Sequence, residues 1–438
     1  MEPSRIWNTA KVENFLHKYD GRFEYVRLHW VDYSGVLRTR FISVGQCIQM
    51  AQGTEKYHLA QNSLITPIST APKEFSPSDH HETWELLPDW PTLRPCGSKG
   101  NHATVMCYID DKGRSFQKCP RTLLEGVIDK IACTYEAVFL LKFRIEFMLL
   151  DGSAEVHKPM DRLNGYSRTA GLRTDILEIM DEIHQALRTS NIRIDEFHIG
   201  LADQVELSLA PQAPLEAIDS LVLAQETIRT VCTRHNIRAT MAPKPLLNGP
   251  FNGLYLHLSA ENSRSNQPAN LLAGILGSMG SLCAFGMANF DSYVRAVNGC
   301  AGEWIGFGTG NRDLPVRQVS IEHWEFRMLD STANPYLFAY ALLMAGQYGV
   351  VNGMQLEWKD CSSFPSLLDI CQRADYGLTS RMPSSLQEAL DHLREDSVMQ
   401  FILPHSFLEW YISLKKKEVE EFAKMTDEQR RLRFLEYF

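Results

Sequence analysis

The sequence predicts an α+β fold whose main sheet curls around a polar cavity. Three observations carry the prediction. Four segments alternate apolar and polar residues with the period of two that a half-buried strand shows. Their polar positions hold groups that are costly to bury unless the space they face is wet or contains a counter-ion. Between and around them run stretches with apolar residues at helical spacing.

The first strand is Phe143-Arg144-Ile145-Glu146-Phe147, where Phe143, Ile145 and Phe147 share one face and Arg144, Glu146 and Met148 the other. Gln204, Glu206 and Ser208 form the polar face of the second, Tyr255, His257 and Ser259 that of the third, and Glu325 and Arg327 that of the fourth. Helices are expected over Thr122 to Glu136, over Leu172, Ile176, Ile179, Ile183 and Leu187, and over Pro214 to His235. A fourth begins at Asn334-Pro335-Tyr336 and runs through Met344. Proline near a helix start costs nothing, since its missing N–H would be unpaired there anyway. Ser384 and Gln387 stand in capping-box spacing. From His405 the chain reads as charged helix, with Lys415-Lys416-Lys417 on a solvated face.

Residues 1–115 read as a smaller α+β domain and 116–438 as a larger one. In the smaller, Phe23 to Trp30 and Val36 to Val44 flank the turn Asp32-Tyr33-Ser34-Gly35, a hairpin pattern. Residues 65–100, rich in Pro, Ser and His, read as a long surface excursion, and Ala103 to Ile109 as a strand closed by Asp110-Asp111-Lys112-Gly113.

Composition narrows the function classes. The chain has 438 residues, 44% apolar and 22% charged, enough for a large core. A formal net charge of −9 argues against a nucleic-acid surface. Ten cysteines lie without CxxC spacing, which indicates neither a zinc ribbon nor a disulfide framework. No apolar run reaches the length of a membrane span, and the first residues carry no signal-type core. The expectation is a soluble cytoplasmic protein that binds neither nucleic acid nor membrane.

Two sets of residues carry chemistry. Glu146, His198 and Glu206 offer two carboxylates and an imidazole, a donor set that suits one divalent ion: Mn²⁺, Zn²⁺, Mg²⁺ or Fe²⁺. Asp195 and Glu196 are rival ligands or plain surface charges. Arg295, Arg312, Arg317 and Arg327 suit bidentate binding of carboxylate or phosphate. Gly306-Phe307-Gly308-Thr309-Gly310 lacks the strand-loop-helix context of a phosphate cradle and reads as a loop.

The order of motifs resembles the glutamine synthetase family. The matching segments are Glu146-Phe147, Gln204-Val205-Glu206, Pro243-Lys244-Pro245 and His257-Leu258-Ser259, then Ser292-Tyr293-Val294-Arg295, Gly310-Asn311-Arg312, Glu325-Phe326-Arg327 and Ala333-Asn334-Pro335-Tyr336-Leu337. The resemblance implies a small β-grasp N-terminal domain and a large catalytic domain whose curved antiparallel sheet, flanked by helices, lines a funnel. It also implies ring-shaped homo-oligomers with active sites between subunits. The family arginines that handle substrate carboxylate and phosphates match Arg295, Arg312, Arg317 and Arg327.

The departures cluster at the chemistry. The first of the family's two metal-binding glutamates on the opening strand is Arg144 here, a guanidinium that can fill the second metal site with fixed charge. A glutamate eight positions before Glu206 becomes His198, and a metal-binding histidine two before His257 becomes Tyr255. The second metal site keeps Glu325 alone. The glycine-rich stretch that holds the amino acid reads Pro250-Phe251-Asn252-Gly253. The loop glutamate of the ammonium site aligns with Ala301, with Glu303 nearby, and an arginine near ATP aligns with His323. An aspartate motif expected near residues 62–75 is not found.

These departures predict single-metal chemistry without ATP: a decarboxylase, other lyase or hydrolytic step on a carboxylate-bearing small molecule. Glu146, His198 and Glu206 would bind the metal. Arg144, Arg295, Arg312, Arg317, Glu325 and Arg327 would form the substrate site, and His257 or Tyr255 would move the proton, beside Arg295 and Arg327 as catalytic groups. The alternative is an ATP-dependent ligase of glutamine synthetase or γ-glutamyl-amine type, joining a carboxylate to an amine. A catalytically silent scaffold is the second alternative. Phe251, Tyr255, Trp304 and Trp324 hint at an aromatic pocket.

Overall fold

A computed structural model describes residues 8–69, 83–111, 117–134, 138–152, 166–172, 175–200, 204–261, 267–297 and 299–438. The expected turn at Lys112-Gly113, the end of the helix at Glu136 and the 70–82 part of the excursion lie outside them.

The smaller sheet contains β1 (Tyr25–Val31), β2 (Leu37–Ser43), β3 (Tyr57–Ala60), β4 (Thr83–Pro88), β5 (Arg94–Pro95) and β6 (His102–Asp110). Its order is β2-β1-β6-β4-β3, with β5 beside β6. β1 and β2 form the expected antiparallel hairpin, while β1 and β6 run parallel. The excursion is less open than its composition suggests: β4 lies inside it, and Trp84 and Trp90 are buried. Flanking Pro, Ser and His conceal a short strand opened by the β-formers Thr83 and Trp84.

The turn after β1 ties this sheet to the rest of the chain. The Asp32 carboxylate accepts from the N–H groups of Ser34 and Val36 and from Arg38. The Ser34 hydroxyl donates to Glu418, and the Asn334 amide donates to the Asp32 carbonyl. Gly35 adopts φ +83°, and a Cβ there would lie 2.3 Å from the Thr332 carbonyl oxygen, so no other residue fits.

The larger sheet contains β7 (Val138–Asp151), β8 (Ile194–Ile199), β9 (Gln204–Leu209), β10 (Ile237–Thr240), β11 (Leu254–Glu261), β12 (Phe307–Thr309), β13 (Val316–Ser320) and β14 (His323–Leu329). Its order is β12-β13-β14-β11-β7-β9-β8, with β10 also on β7. Every pair is antiparallel except β12 with β13. The segment Gly306–Gly310, expected as loop, therefore contributes an edge strand. Gly308 permits it, since a Cβ there would lie 2.1 Å from the Cys361 carbonyl oxygen.

The apolar face of β7 goes into the core. Phe143, Ile145 and Phe147 are all but fully buried, and β7 packs on the helix Pro214–Arg234. Each such side chain contributes roughly 1.5–3 kcal/mol by leaving water. A buried ion cluster ties three helices together: Arg121 reaches Asp219 at 2.8 Å and Asp89 at 2.7 Å, and the Tyr336 hydroxyl donates to Asp219. Asn334 caps the helix Pro335–Val351 by accepting from the N–H groups of Tyr336 and Leu337.

Two local expectations shift. The cap of the helix Leu386–Glu395 is Ser385, which accepts from the Glu388 N–H, one residue later than predicted. Lys415 is buried against Glu418 at 2.8 Å inside the helix His405–Phe422, where solvent was expected. A charge run does not reveal that one of its members faces a carboxylate on the same helix. No single helix among the described residues is long and apolar enough to cross a membrane.

Candidate active site

The register of the larger sheet assembles the polar face. Arg144 on β7 stands beside Ser208 on β9 and Tyr255 on β11. Glu146 pairs with Glu206, Glu206 pairs in turn with His198 on β8, and His257 pairs with Glu325 on β14. Strand twist curls this row of polar groups around a cavity of about 410 Å³, lined by Arg144, Glu146, Tyr166, His198, Glu206, Tyr255, Arg312 and Arg327 among others.

The β8–β9 side of the cavity is rich in electron pairs. The Nδ1 of His198 lies 3.2 Å from the Ile199 carbonyl oxygen, which can only accept, so Nδ1 carries the proton. That turns Nε2 toward Glu206 Oε2 at 3.6 Å. A ring oriented by a backbone carbonyl, with its other nitrogen turned to a carboxylate across the cavity, has the orientation of a metal-ligating histidine. Burial, and then the neighbouring Glu146 carboxylate, push the Glu206 carboxyl above its usual range. A divalent cation between His198 and Glu206 fits this donor set. Glu146 is turned away as it stands: Oε1 accepts from the Tyr255 hydroxyl at 2.8 Å and Oε2 from the Gly253 N–H at 2.5 Å. Among the described residues no three His, Cys, Asp or Glu side chains form a ready metal cage.

The β11–β14 side is different. Glu325, fully buried, accepts from Arg327 at 2.5 Å and Arg317 at 2.9 Å, with Arg144 at 3.4 Å and His257 Nε2 at 3.7 Å. Burial alone would raise its carboxyl, but Arg144 and Arg327 outweigh that and bring it down to about 2. The Tyr255 ring lies between two guanidinium groups, 4.3 Å from Arg144 and 4.7 Å from Arg327. Burial, then Glu146, push its phenol well up, so it stays protonated and donates. Burial takes His257 down to about 3. Its Nδ1 meets His323 Nε2 at 3.1 Å, so a neutral imidazole pair stands where a proton donor was expected.

The structure brings seven of the expected site residues (Arg144, Glu146, His198, Glu206, Tyr255, Arg312 and Arg327) around one cavity, and Arg144, Arg317, Arg327 and His257 around the Glu325 carboxylate. Arg295 is not among the groups lining either cavity: it is buried and donates to the backbone carbonyls of Leu329 and Arg327. Trp324 is core, and the Phe251 carbonyl accepts from Gln204. A second cavity of about 420 Å³ shares Tyr166, Arg312 and Arg327 with the first and adds Cys300, Glu303, Trp304 and Asp313. Trp304 is a wall of it, stacked by Arg373 and Arg381. Tyr166, Ser167 and Asp313 escape a reading by period, because they sit outside the regular strands and helices.

Fold and site together define an anion-handling funnel on a curled antiparallel sheet. The chain belongs to the glutamine synthetase family, whose catalytic-domain model matches residues 117–434. It is 29% identical to protein fluG of Emericella nidulans over 98% of its own length, and it spans half the length of that protein. It is 24% identical to a glutamate–isopropylamine ligase of a Pseudomonas species over 94% of each chain. It is 25% identical to the γ-glutamylpolyamine synthetase GlnA3 of Streptomyces coelicolor over 73% of each chain. Two solved structures share the fold: apo GmaS (TM-score 0.79, 22% identity, 95% of this chain and 97% of that one) and Plasmodium falciparum glutamine synthetase (TM-score 0.78, 21% identity, 99% and 100%).

The comparisons overturn the expected lyase or decarboxylase chemistry. The γ-glutamylpolyamine synthetase, the glutamate–isopropylamine ligase and a glutamine synthetase of Pyrococcus abyssi, 28% identical over 74% of this chain and 76% of that one, are named as synthetases or ligases, not as lyases or decarboxylases. The expectation that ATP is dispensable rested on the same departures and loses its support with it.

Proposed function

We propose that this chain is an ATP-dependent ligase that joins the carboxylate of a small amino-acid-like molecule to an amine other than ammonia. One observation carries the reading: Arg144, Arg312 and Arg327 face the same cavity as His198 and Glu206, in a chain related over most of its length to amine ligases.

The reaction transfers the γ-phosphoryl group of ATP to the carboxylate, and the amine then displaces phosphate, leaving an amide and ADP. Arg312 and Arg327 border both cavities: Arg312 holds the carboxylate and the transferred phosphoryl oxygens where the cavities meet, and Arg327, fixed to Glu325, adds its charge beside it. A divalent cation held by His198 and Glu206, with Glu146 beside them, would supply charge neutralisation of the phosphates. The second cavity gives an alkyl or polyamine chain room, and Glu303 and Asp313 offer its ammonium ends a negative wall. The ring-shaped homo-oligomer with sites between subunits, the cytoplasmic location and the division of the chain near residue 115 belong to the same proposal.

The test is phosphate release from ATP with glutamate and a panel of ammonia, methylamine, isopropylamine and putrescine. The expected result is turnover with an organic amine exceeding that with ammonia by about tenfold or more in kcat/KM, a preference of roughly 1.4 kcal/mol. In Arg312→Ala, loss of a charge-assisted hydrogen bond worth about 1.5–3 kcal/mol should raise KM about tenfold or more. No ATP-dependent turnover, with no thermal stabilisation by nucleotide, would sink the ligase and leave the scaffold alternative.

A further inference from the structure

The family resemblance implies a second divalent ion at Glu325 and the positions of Arg144 and Tyr255, and the residues present do not fit one. Glu325 has both oxygens engaged by guanidinium groups. Tyr255 is a protonated phenol that donates to Glu146. Arg144 itself projects into the space between the carboxylates: its Nε lies 3.4 Å from Glu206 Oε2 and its Nη2 3.4 Å from Glu325 Oε1.

We infer that the Arg144 guanidinium is a built-in cation occupying the place of a divalent ion, and that removing its charge converts this place into a cation site. Glu146, Glu206 and Glu325 are all buried on the same sheet face. Arg317 and Arg327 are committed to Glu325. Among the described residues Arg144 is the guanidinium in ion-pair contact with Glu206, while Arg312 acts on it through its charge alone. Its contacts are those of a charge rather than of a hydrogen-bonding fork. Both are longer than the ~2.7–2.9 Å of a good guanidinium–carboxylate bond, and Nε, buried, has no hydrogen-bond partner among the described residues. Position comes instead from stacking on the Tyr255 ring. Without the guanidinium, Glu206 loses its nearest fixed positive charge, and Glu325 keeps Arg317 and Arg327, with Glu146 on the same sheet face. Buried carboxylates so placed must take up protons or a cation. Carboxylate oxygens are the preferred ligands of Mn²⁺ and Mg²⁺.

The experiment compares metal-stripped wild-type protein with Arg144→Ala, Arg144→Gln and Arg144→Lys, each titrated with Mn²⁺ at neutral pH. Bound Mn²⁺ per subunit and the thermal midpoint are read together. The neutral variants should bind one more Mn²⁺ per subunit than wild type and recover part of their lost midpoint when it is added. Arg144→Lys keeps the charge and should match the wild-type count. A folded neutral variant with the wild-type count overturns the inference. So does failure of both neutral variants to fold even in excess Mn²⁺, because a replacement cation should restore the balance of charge. A lysine variant that gains Mn²⁺ overturns it as well. The count involves no turnover, so this inference and the ligase reading stand or fall separately.

Discussion

The two sides of the polar sheet handle buried carboxylates in opposite ways. On β11–β14, Glu325 is surrounded by Arg144, Arg317 and Arg327, and its carboxyl is held at about 2. On β8–β9, Glu206 has His198 Nε2 at 3.6 Å and Arg144 at 3.4 Å, but burial and the Glu146 carboxylate outweigh them and its carboxyl is pushed up. Burial is similar on both sides, so the partner set decides the outcome. The first side is complete within the protein, and the second has coordination capacity to spare. A site divided this way can keep part of its electrostatic work permanently wired while leaving the remainder to an exchangeable ion.

The comparison breaks most severely if Glu325 matters little. Glu325→Gln keeps the shape but strands three guanidinium groups in a buried place, at a cost of about 3–5 kcal/mol. Chemical denaturation checks this, and a loss below about 1 kcal/mol would show that solvent reaches the cluster. The same variant sharpens the contrast through pH. The folded carboxyl titrates at about 2 against an ordinary 4.5, so its stabilisation is complete above the unfolded value and disappears as pH falls through the folded one. The gap between wild type and Glu325→Gln should therefore narrow between about pH 4.5 and pH 2. Widening in that window would reverse the assigned sign. The smallest effect is expected at the rim. Lys142 meets Asp195 at 3.1 Å with both side chains partly exposed, so Lys142→Met should change stability by less than about 1 kcal/mol. A larger loss would extend the wired region to the rim.

Much of this arrangement was legible from alternation alone. The period of two in Phe143–Phe147, Gln204–Ser208, Tyr255–Ser259 and Glu325–Arg327 put the right side chains on one face, because a strand leaves them no other choice. Order of motifs supplied the family. What was not legible was commitment. Arg295 stood among four arginines of equal promise, yet it holds backbone carbonyls. His257 carried an expected proton, yet lies buried against His323. Such outcomes depend on which neighbour is nearest in space, and residues 66 positions apart carry no local record of their meeting. Tyr166, Ser167 and Asp313 were missed for a related reason: irregular backbone has no period to read.

The turn Asp32–Gly35 has a consequence for how the molecule comes apart. It is hydrogen-bonded to Asn334 and Glu418, and Gly35 sits against Thr332, directly after the last strand of the polar sheet. Opening the smaller sheet therefore exposes buried polar groups at the far end of the chain. Amide exchange in β1 and β14 should report a common opening free energy, as one cooperative unit would. Fast exchange confined to β1 would mean that the turn is a latch rather than a keystone. If the unit is shared, a substitution in the hairpin can silence the catalytic sheet without touching a single cavity residue.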